Sequence, residues 1–170
     1  MGGFGLQVFG RKCEQEHKEG STAPMKFKYR KTPDDTDPSK RWIARPILQV
    51  RLYDGLKHQD IRCLVDSGAD DCLFHTSVGE VLGIDVQAGR LKPFAGIAAG
   101  HFVDAYMHSI QMQIQGFSEK IDLEVGFTDS DWVSGILGQS GFFDNYRVTF
   151  ERFRGRFEVT SRARPRLSGT

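Results

Sequence analysis

The sequence has few cysteines, no long apolar segment and almost no net charge. Its three cysteines are an odd number, and no apolar region typical of a secretory signal opens the chain, so we expect no disulfide framework and a cytoplasmic location. Arginine, aspartate, glutamine or glycine interrupts every candidate for a transmembrane span, which predicts no membrane insertion. The formal net charge of +1 provides no overall attraction to nucleic acid, which is not expected as a partner.

Length and composition predict one globular domain flanked by polar segments. The chain has 170 residues, of which 39% are hydrophobic and 26% charged, enough for a single core. Residues 1–41 are expected to form a flexible leader and linker, with a short edge strand over 25–30 and a proline-bounded linker over 31–38. The domain is predicted over 42–160 and a basic tail over 161–170. Whether the leader is a removable pro-segment stays open.

The domain is predicted to be all-β because apolar and polar residues alternate along most of it. Leu48, Val50 and Leu52 alternate with polar residues up to an Asp-Gly turn at 54–55, a pattern typical of a hairpin. The second strand of this hairpin ends at Val65.

Two more hairpins and one helix are predicted farther along the chain. Alternation within 110–127 and within 146–159 indicates hairpins that turn at Gly116 and Gly155. Ser77 and Glu80 have the spacing of a capping box, which predicts a short helix over 77–82.

The most informative run is residues 64–71, Leu-Val-Asp-Ser-Gly-Ala-Asp-Asp. An apolar strand ends there on Asp66, and Gly68 permits a close backbone approach, so the carboxylate is expected to face a cleft. Two aspartates that share one proton can hydrolyse a peptide bond, because one accepts a proton from water while the other donates to the substrate carbonyl. The sequence has a single Asp-Ser-Gly, so the second aspartate must come from another chain. A two-fold homodimer would place Asp66 of each protomer at the symmetry axis, with Ser67 beside it.

Two motifs in the chain resemble those of the retropepsin-like aspartic proteases. Residues 64–71 are similar to the family's apolar strand followed by Asp, Thr or Ser, Gly and Ala. Residues 135–138, Gly-Ile-Leu-Gly, are similar to its second signature, which leads into a short helix, here expected over 139–143. The resemblance covers residues 42–153. It implies a closed retropepsin-like barrel with one or two short helices, one lobe per chain, and a homodimeric aspartic endopeptidase that needs no metal or organic cofactor.

The resemblance also implies roles for individual residues. Asp66 would be catalytic, with Ser67 and Gly68 supporting it. A glycine-rich flap over residues 94–100 would close over an extended peptide that binds as an added strand. The substrate-binding residues implied in this way are Ala69, Asp70, Gly96, Ile97 and Ala98. Alternatives stay open for two of these segments: residues 95–100 would also suit an ordinary flexible loop, and Asp71 suits a surface turn or cap as well as a substrate contact.

Gln139 departs from the family's pattern. Retroviral members usually carry arginine after the second-signature glycine, where it would pair with the residue at the position of Asp70 near the dimer interface. Glutamine still hydrogen-bonds to a carboxylate but without the gain from charge, which places the strength of the dimer in doubt. A second hypothesis therefore stays open, a noncatalytic peptide-binding or assembly module with the same fold.

Other chemical features of the sequence favour structural roles. Cys13 and His17 have a metal-ligand spacing without a second pair, and residues 129–131 begin like a calcium loop that no glutamate closes, so no metal is expected. The C-terminal arginines alternate with phenylalanines in a way that would suit nucleic-acid stacking, but a hairpin with an aromatic core face and an arginine solvent face is favoured. Cys63 and Cys72 are predicted to pack as small apolar residues.

Overall fold

The computed structural model describes residues 23–33, 39, 41–95, 102–131 and 133–162. Most of these residues lie in strands, as the alternating pattern predicts, and two short helices lie between them. The strands are β1 (Met25–Lys28), β2 (Arg30–Pro33), β3 (Trp42–Arg45), β4 (Ile47–Asp54), β5 (Lys57–Val65), β6 (Leu73–His75), β7 (Arg90–Ala95), β8 (Phe102–Ile114), β9 (Ile121–Thr128), β10 (Gly135–Leu137), β11 (Tyr146–Glu151) and β12 (Arg156–Ser161), and the helices are α1 (Thr76–Leu82) and α2 (Phe142–Asn145).

Six strands close into a barrel. They are hydrogen-bonded in the order β4, β5, β10, β6, β9, β8, and β8 pairs again with β4, so the sheet returns to its first strand. Strand β7 extends the sheet from β8, while β1, β12 and β11 form a separate three-stranded sheet. The prediction of an all-β closed barrel with one or two short helices is confirmed, and the described helices number two.

The barrel interior is filled by the apolar positions of the alternating strands. Leu48, Val50 and Leu52 of β4 are completely buried, and so are Val125 and Phe127 of β9. Each such side chain contributes about 1.5–3 kcal/mol of burial free energy. This alternation also determines which way the chain faces when it leaves β5, because successive residues of a strand point to opposite sides of the sheet.

All three predicted hairpins are present. Strands β4 and β5 pair antiparallel around the turn at 55–56, β8 pairs with β9, and β11 pairs with β12. Gly55, Gly116 and Gly155, the turn glycines, all have positive φ angles, of 55°, 97° and 64°. Glycine adopts this conformation without the steric penalty of a side chain. The turns therefore form at the predicted glycines, although the first occupies residues 55–56 rather than 54–55, because Asp54 still pairs with Lys57.

The N-terminal segment contains more regular structure than its composition predicts. The edge strand predicted over 25–30 is present as β1, which pairs with β12. The linker predicted over 31–38 is wrong at its first three residues, because residues 31–33 belong to β2, which pairs with β3. The Thr32 hydroxyl donates to the Ile43 carbonyl at 3.2 Å, and Pro33 is tolerated at the end of a two-stranded sheet. Regular structure thus begins before residue 42.

The two helices begin at different residues from those predicted. Helix α1 is capped by His75, whose ring nitrogen Nδ1 accepts the Ser77 N–H at 3.2 Å, so the predicted capping box at Ser77 is wrong. Helix α2 begins at Phe142 rather than at 139. Gly141, which precedes the helix, has a φ angle of 89°, outside the right-handed helical region, so a helix cannot run through it from residue 139. The backbone N–H groups of Gln139 and Ser140 donate to carbonyls of residues 69 and 70.

The aromatic residues of the last hairpin do not share one buried face. Phe157 is fully buried, but Phe150 is 40% exposed and Phe153 is 83% exposed. Phe153 lies in the short 3-10 turn Arg152–Arg154 that joins β11 to β12, where no neighbouring strand covers it. The prediction of an aromatic core face therefore holds for Phe157 and is wrong for Phe153.

Candidate active site

Asp66 lies where two parallel strands of the barrel end together. Strands β5 and β10 run parallel, with Leu64 opposite Ile136 and Val65 opposite Leu137. The Asp66 N–H donates to the Leu137 carbonyl at 3.0 Å, which extends this pairing by one residue. The carboxylate follows directly from a strand that is anchored in the core, and the residue itself is half-buried. Its backbone position is therefore determined by rigid elements.

The loop after Asp66 folds back on the aspartate. The Gly68 N–H donates to Oδ1 of Asp66 at 2.9 Å, and the Ala69 N–H donates to the Asp66 carbonyl at 3.3 Å. This is the turn that Asp-Ser-Gly sequences favour. No side chain in the described ranges forms an ion pair with Asp66, and the hydrogen bond from Gly68 orients the carboxylate without neutralising it.

A second loop, residues 138–140, packs against the loop of residues 66–70. The backbone N–H of Gln139 donates to the Ala69 carbonyl at 2.8 Å, and that of Ser140 donates to the Asp70 carbonyl at 2.8 Å. The Gln139 side-chain amide donates to the Ser67 carbonyl at 2.6 Å. Three hydrogen bonds therefore connect two segments that are distant in sequence, with Ser67 and Gln139 separated by 72 positions.

Gly138 permits the close approach of these two loops. A Cβ atom at this position would overlap the carbonyl oxygen of Asp71 and lie 2.7 Å from the carbonyl oxygen of Ala69. Because both obstacles are backbone atoms, they do not move aside as a flexible side chain does. The second signature glycine is thus required by packing against the loop that carries Asp66.

The structure describes the predicted site residues 66–70 but not those at 96–98. Residues 66–70 form one loop at the ends of β5 and β10, with Ser67, Gly68 and Asp70 exposed and Ala69 half-buried. Gly96, Ile97 and Ala98 lie outside the described residues, as do Cys13 and His17. The flanking strands β7 and β8 pair up to Ala95 and Phe102, and the predicted flap stays a prediction. The structure describes one chain, so the pairing of two Asp66 side chains stays a prediction.

The environment of Asp71 is not predicted by the sequence, which leaves a surface turn, a cap and a substrate contact open. Its side chain is only 8% exposed, and its Oδ2 lies 2.6 Å from Nζ of Lys92 on β7. The surface turn considered for Asp71 is therefore wrong. Two adjacent acids at 70–71 do not indicate which of them is buried, and nothing local to the sequence identifies a lysine 21 positions away as the partner of Asp71.

The two described cysteines line the interior beside this site. Cys63 on β5 and Cys72 after the loop are both fully buried, which confirms that they pack as small apolar residues. The Gly138 N–H donates to Sγ of Cys72 at 3.4 Å. Burial raises the pKa of the Cys72 thiol to about 11 and raises the pKa of the Cys63 thiol as well.

We expect both thiols to resist modification in the folded protein. A pKa of about 11 instead of 9.0 lowers the reactive thiolate fraction of Cys72 at neutral pH about 100-fold, and burial blocks access as well. A Cys13→Ser variant should therefore react with a thiol reagent at pH 7.5 at least about 100-fold more slowly when native than when unfolded in urea. Rapid stoichiometric labelling of the native variant would contradict this assignment.

The described residues hold neither a cluster of metal ligands nor a membrane-spanning helix. No group of three or more histidine, cysteine, aspartate or glutamate side chains there could hold a metal ion. None of the helices in that part of the chain is both long and apolar enough to span a bilayer.

One protein-family model and several solved structures are similar to this chain. A sequence model described as aspartyl protease matches residues 48–140, a range that includes both loops. The chain is also similar to the crystal structure of a retropepsin-like aspartic protease from Rickettsia conorii, with 12% identity and a TM-score of 0.54 over 84% of this chain and 96% of that chain. At this identity the similarity supports the fold.

Two further solved structures are similar at lower TM-scores. One is the EIAV protease in complex with an inhibitor, with 24% identity and a TM-score of 0.41 over 56% of this chain and 82% of that chain. The other is the retroviral protease-like domain of Ddi1 from Leishmania major, with 13% identity and a TM-score of 0.46 over 71% of this chain and 98% of that chain. The comparison with curated proteins gives no match.

Proposed function

The chain belongs to the aspartyl protease family, and from this premise we propose that it is an aspartic endopeptidase whose catalytic site forms between two copies. One observation carries the proposal. The half-buried carboxylate of Asp66 is held at the ends of two parallel strands by main-chain hydrogen bonds. This rigid placement suits a group that must meet its symmetry mate within a few ångströms, because a two-fold axis brings identical residues together.

In the proposed reaction the two Asp66 carboxylates share one proton. Like charges at short range do not ionise together, so one aspartate stays protonated while the other is ionised. The ionised carboxylate takes a proton from water as the water oxygen bonds to the peptide carbonyl carbon, and the protonated carboxyl donates to the carbonyl oxygen. The tetrahedral gem-diol intermediate then breaks its C–N bond as the nitrogen takes a proton from the carboxyl that deprotonated water. The other carboxylate takes a hydroxyl proton from the intermediate as the C=O bond re-forms, so the pair again holds one shared proton.

We propose that the substrate is an extended protein or peptide segment. Such a segment would lie beside Ala69 and Asp70 and beneath a flap containing Gly96, Ile97 and Ala98, with main-chain hydrogen bonds supplying affinity. The Asp70 side chain is exposed and forms no ion pair within the described ranges. Its carboxylate is therefore available to accept a substrate N–H group.

The proposal is tested by cleavage of a denatured protein mixture at several pH values and enzyme concentrations. A shared proton predicts a bell-shaped pH dependence of kcat/KM, because activity requires one ionised and one protonated carboxyl. A two-chain site predicts that activity per milligram falls when the enzyme is diluted below its dimer dissociation constant. Fragments would be identified by mass spectrometry. A flat pH profile from acidic to neutral pH would contradict the shared proton.

One observation favours the noncatalytic alternative. The Gln139 side-chain amide donates to the Ser67 carbonyl and carries no charge. Asp70 therefore has no cationic partner at position 139. Sedimentation at micromolar concentration separates the two functions. A protein that stays monomeric with and without peptide, binds peptide and releases no fragments would be a binding module, whereas a dimer that cleaves supports the endopeptidase.

A further inference from the structure

An ion pair joins the edge of the barrel sheet to the loop that carries Asp66. Nζ of Lys92 on β7 lies 2.6 Å from Oδ2 of Asp71. Asp71 follows the loop directly, and its backbone forms a bridge with Ser140, while its carbonyl oxygen is the atom that excludes a side chain at Gly138. The backbone of Asp71 therefore contacts the second loop and continues directly from the first, while its carboxylate binds Lys92.

Because Asp71 is buried, loss of its contact with Lys92 should be costly. Only 8% of its side chain is exposed, against 37% for Lys92. A carboxylate removed from water needs a compensating charge or hydrogen bonds, and removing the partner of a buried ion pair costs far more than breaking a surface pair. The exposed side of Lys92 reduces this cost but does not remove it.

Strand β7 has few other attachments to the barrel. Within the described ranges it pairs with β8 alone, at the edge of the seven-stranded sheet. Edge elements with one hydrogen-bonded neighbour open more easily than central strands. Lys92 also lies 5.0 Å from the centroid of the Phe94 ring, a cation–π contact one residue before the end of β7. The lysine thus connects Asp71 to the part of β7 that leads toward residues 96–98.

We propose that Asp71 and Lys92 are positioning residues that hold the β7–β8 hairpin against the loop carrying Asp66. The inference rests on the proposed function, because the hairpin flanks the predicted flap. Neither residue takes part in proton transfer. Their ion pair favours the arrangement in which β7 lies over the loop, and substrate binding needs that arrangement. Loss of the pair should therefore weaken binding while the chemistry at Asp66 continues.

The test uses an Asp71→Asn/Lys92→Met double variant, which leaves no unpaired charge in the interior. With fluorescein-labelled denatured casein as the probe, we expect KM to rise about tenfold while kcat changes less than threefold. A Lys92→Arg variant keeps the ion pair and should keep KM within about threefold of wild type. Equal loss in the Lys92→Arg variant, or a fall in kcat with unchanged KM, would overturn the positioning role.

Arg90→Met is the matched control on the same strand. Arg90 forms an exposed ion pair with Glu124 at 3.0 Å, which does not involve Asp71. The KM of this variant should therefore stay within about twofold of wild type. A similar rise in KM for this control would show that any lost charge on β7 has the same effect, and it would refute the specific role of Lys92.

Hydrogen exchange separates failure of this inference from failure of the proposed function. We expect the amides of β7 to exchange at least about tenfold faster in the double variant than in wild type and Arg90→Met, while β5 amides stay protected. If wild type cleaves casein but β7 exchange is unchanged in the double variant, the inference is wrong and the endopeptidase proposal stands. If β7 exchange rises and no protein cleaves casein, the proposed function fails while the ion pair's hold on the hairpin is supported.

Discussion

Replacing Asp66 by asparagine should reduce peptide cleavage at least about 1,000-fold, because the exchange removes both the base that activates water and the acid that protonates the carbonyl. Asparagine neither shares a proton nor takes one from water. The fold should survive, since the oxygen of the asparagine side chain would still accept the Gly68 N–H that now donates to Oδ1 of Asp66. The measurement is kcat/KM on denatured casein together with circular dichroism and sedimentation of the purified variant.

Asp85→Asn is a suitable control for the change in charge. Asp85 is exposed, and its carboxylate makes no capping hydrogen bond to the short 3-10 turn that follows it. This variant should keep kcat/KM within about twofold of wild type. If Asp66→Asn remains folded and retains full activity, Asp66 is neither the catalytic base nor the catalytic acid. If both variants lose activity equally, the loss reflects net charge rather than chemistry at Asp66.

Gly138→Ala should lower the free energy of unfolding by about 3 kcal/mol and abolish most activity. The new methyl group would collide with the backbone carbonyls of Asp71 and Ala69, so the two loops would have to separate. Separation would break the hydrogen bonds from residues 139 and 140 to residues 69 and 70 and would displace Asp66. Urea unfolding measures the loss of stability, and cleavage of casein measures the loss of activity.

Gly55→Ala is the control for Gly138→Ala, because it introduces backbone strain without a steric collision. Gly55 has a φ angle of 55°, and no atom lies within 4 Å of a Cβ built there. Only the cost of a left-handed conformation applies, about 1 kcal/mol, and activity should be unchanged because the turn lies at the opposite end of β5 from Asp66. Equal destabilisation by the two alanines would show that the overlap at Gly138 is relieved without separating the loops.

Much of the barrel could be predicted because its strands follow local patterns. The alternation in β4, the turn at Gly55 and the hairpin of β8 and β9 need only neighbouring residues for their interpretation. Composition is a poorer guide where polar residues form a strand. The polar residues 31–33 predict a linker, yet they belong to strand β2 because β2 pairs with β3.

The surroundings of Asp66 include one part that local sequence predicts and one part that it does not. The strand before it and the turn after it follow from residues 61–69, so the aspartate at a strand end could be recognised directly. The second loop that supports it could be identified only by resemblance. Its contacts depend on the parallel register of β5 and β10, in which Val65 lies opposite Leu137, and no local pattern specifies a parallel register between distant strands.

The amino-acid sequence alone therefore determined the strand pattern, the turns and the Asp-Ser-Gly loop, since each depends on conformational preferences within a few residues. Only the tertiary structure decided which groups surround that loop. Closure of the barrel brings the Asp71 carbonyl so close to Gly138 that no side chain fits there. It also directs the Gln139 amide to the Ser67 carbonyl and brings Lys92 to Asp71. The physical reason is that these contacts require the positions of several strands at once, which hydrogen bonding around the whole sheet determines.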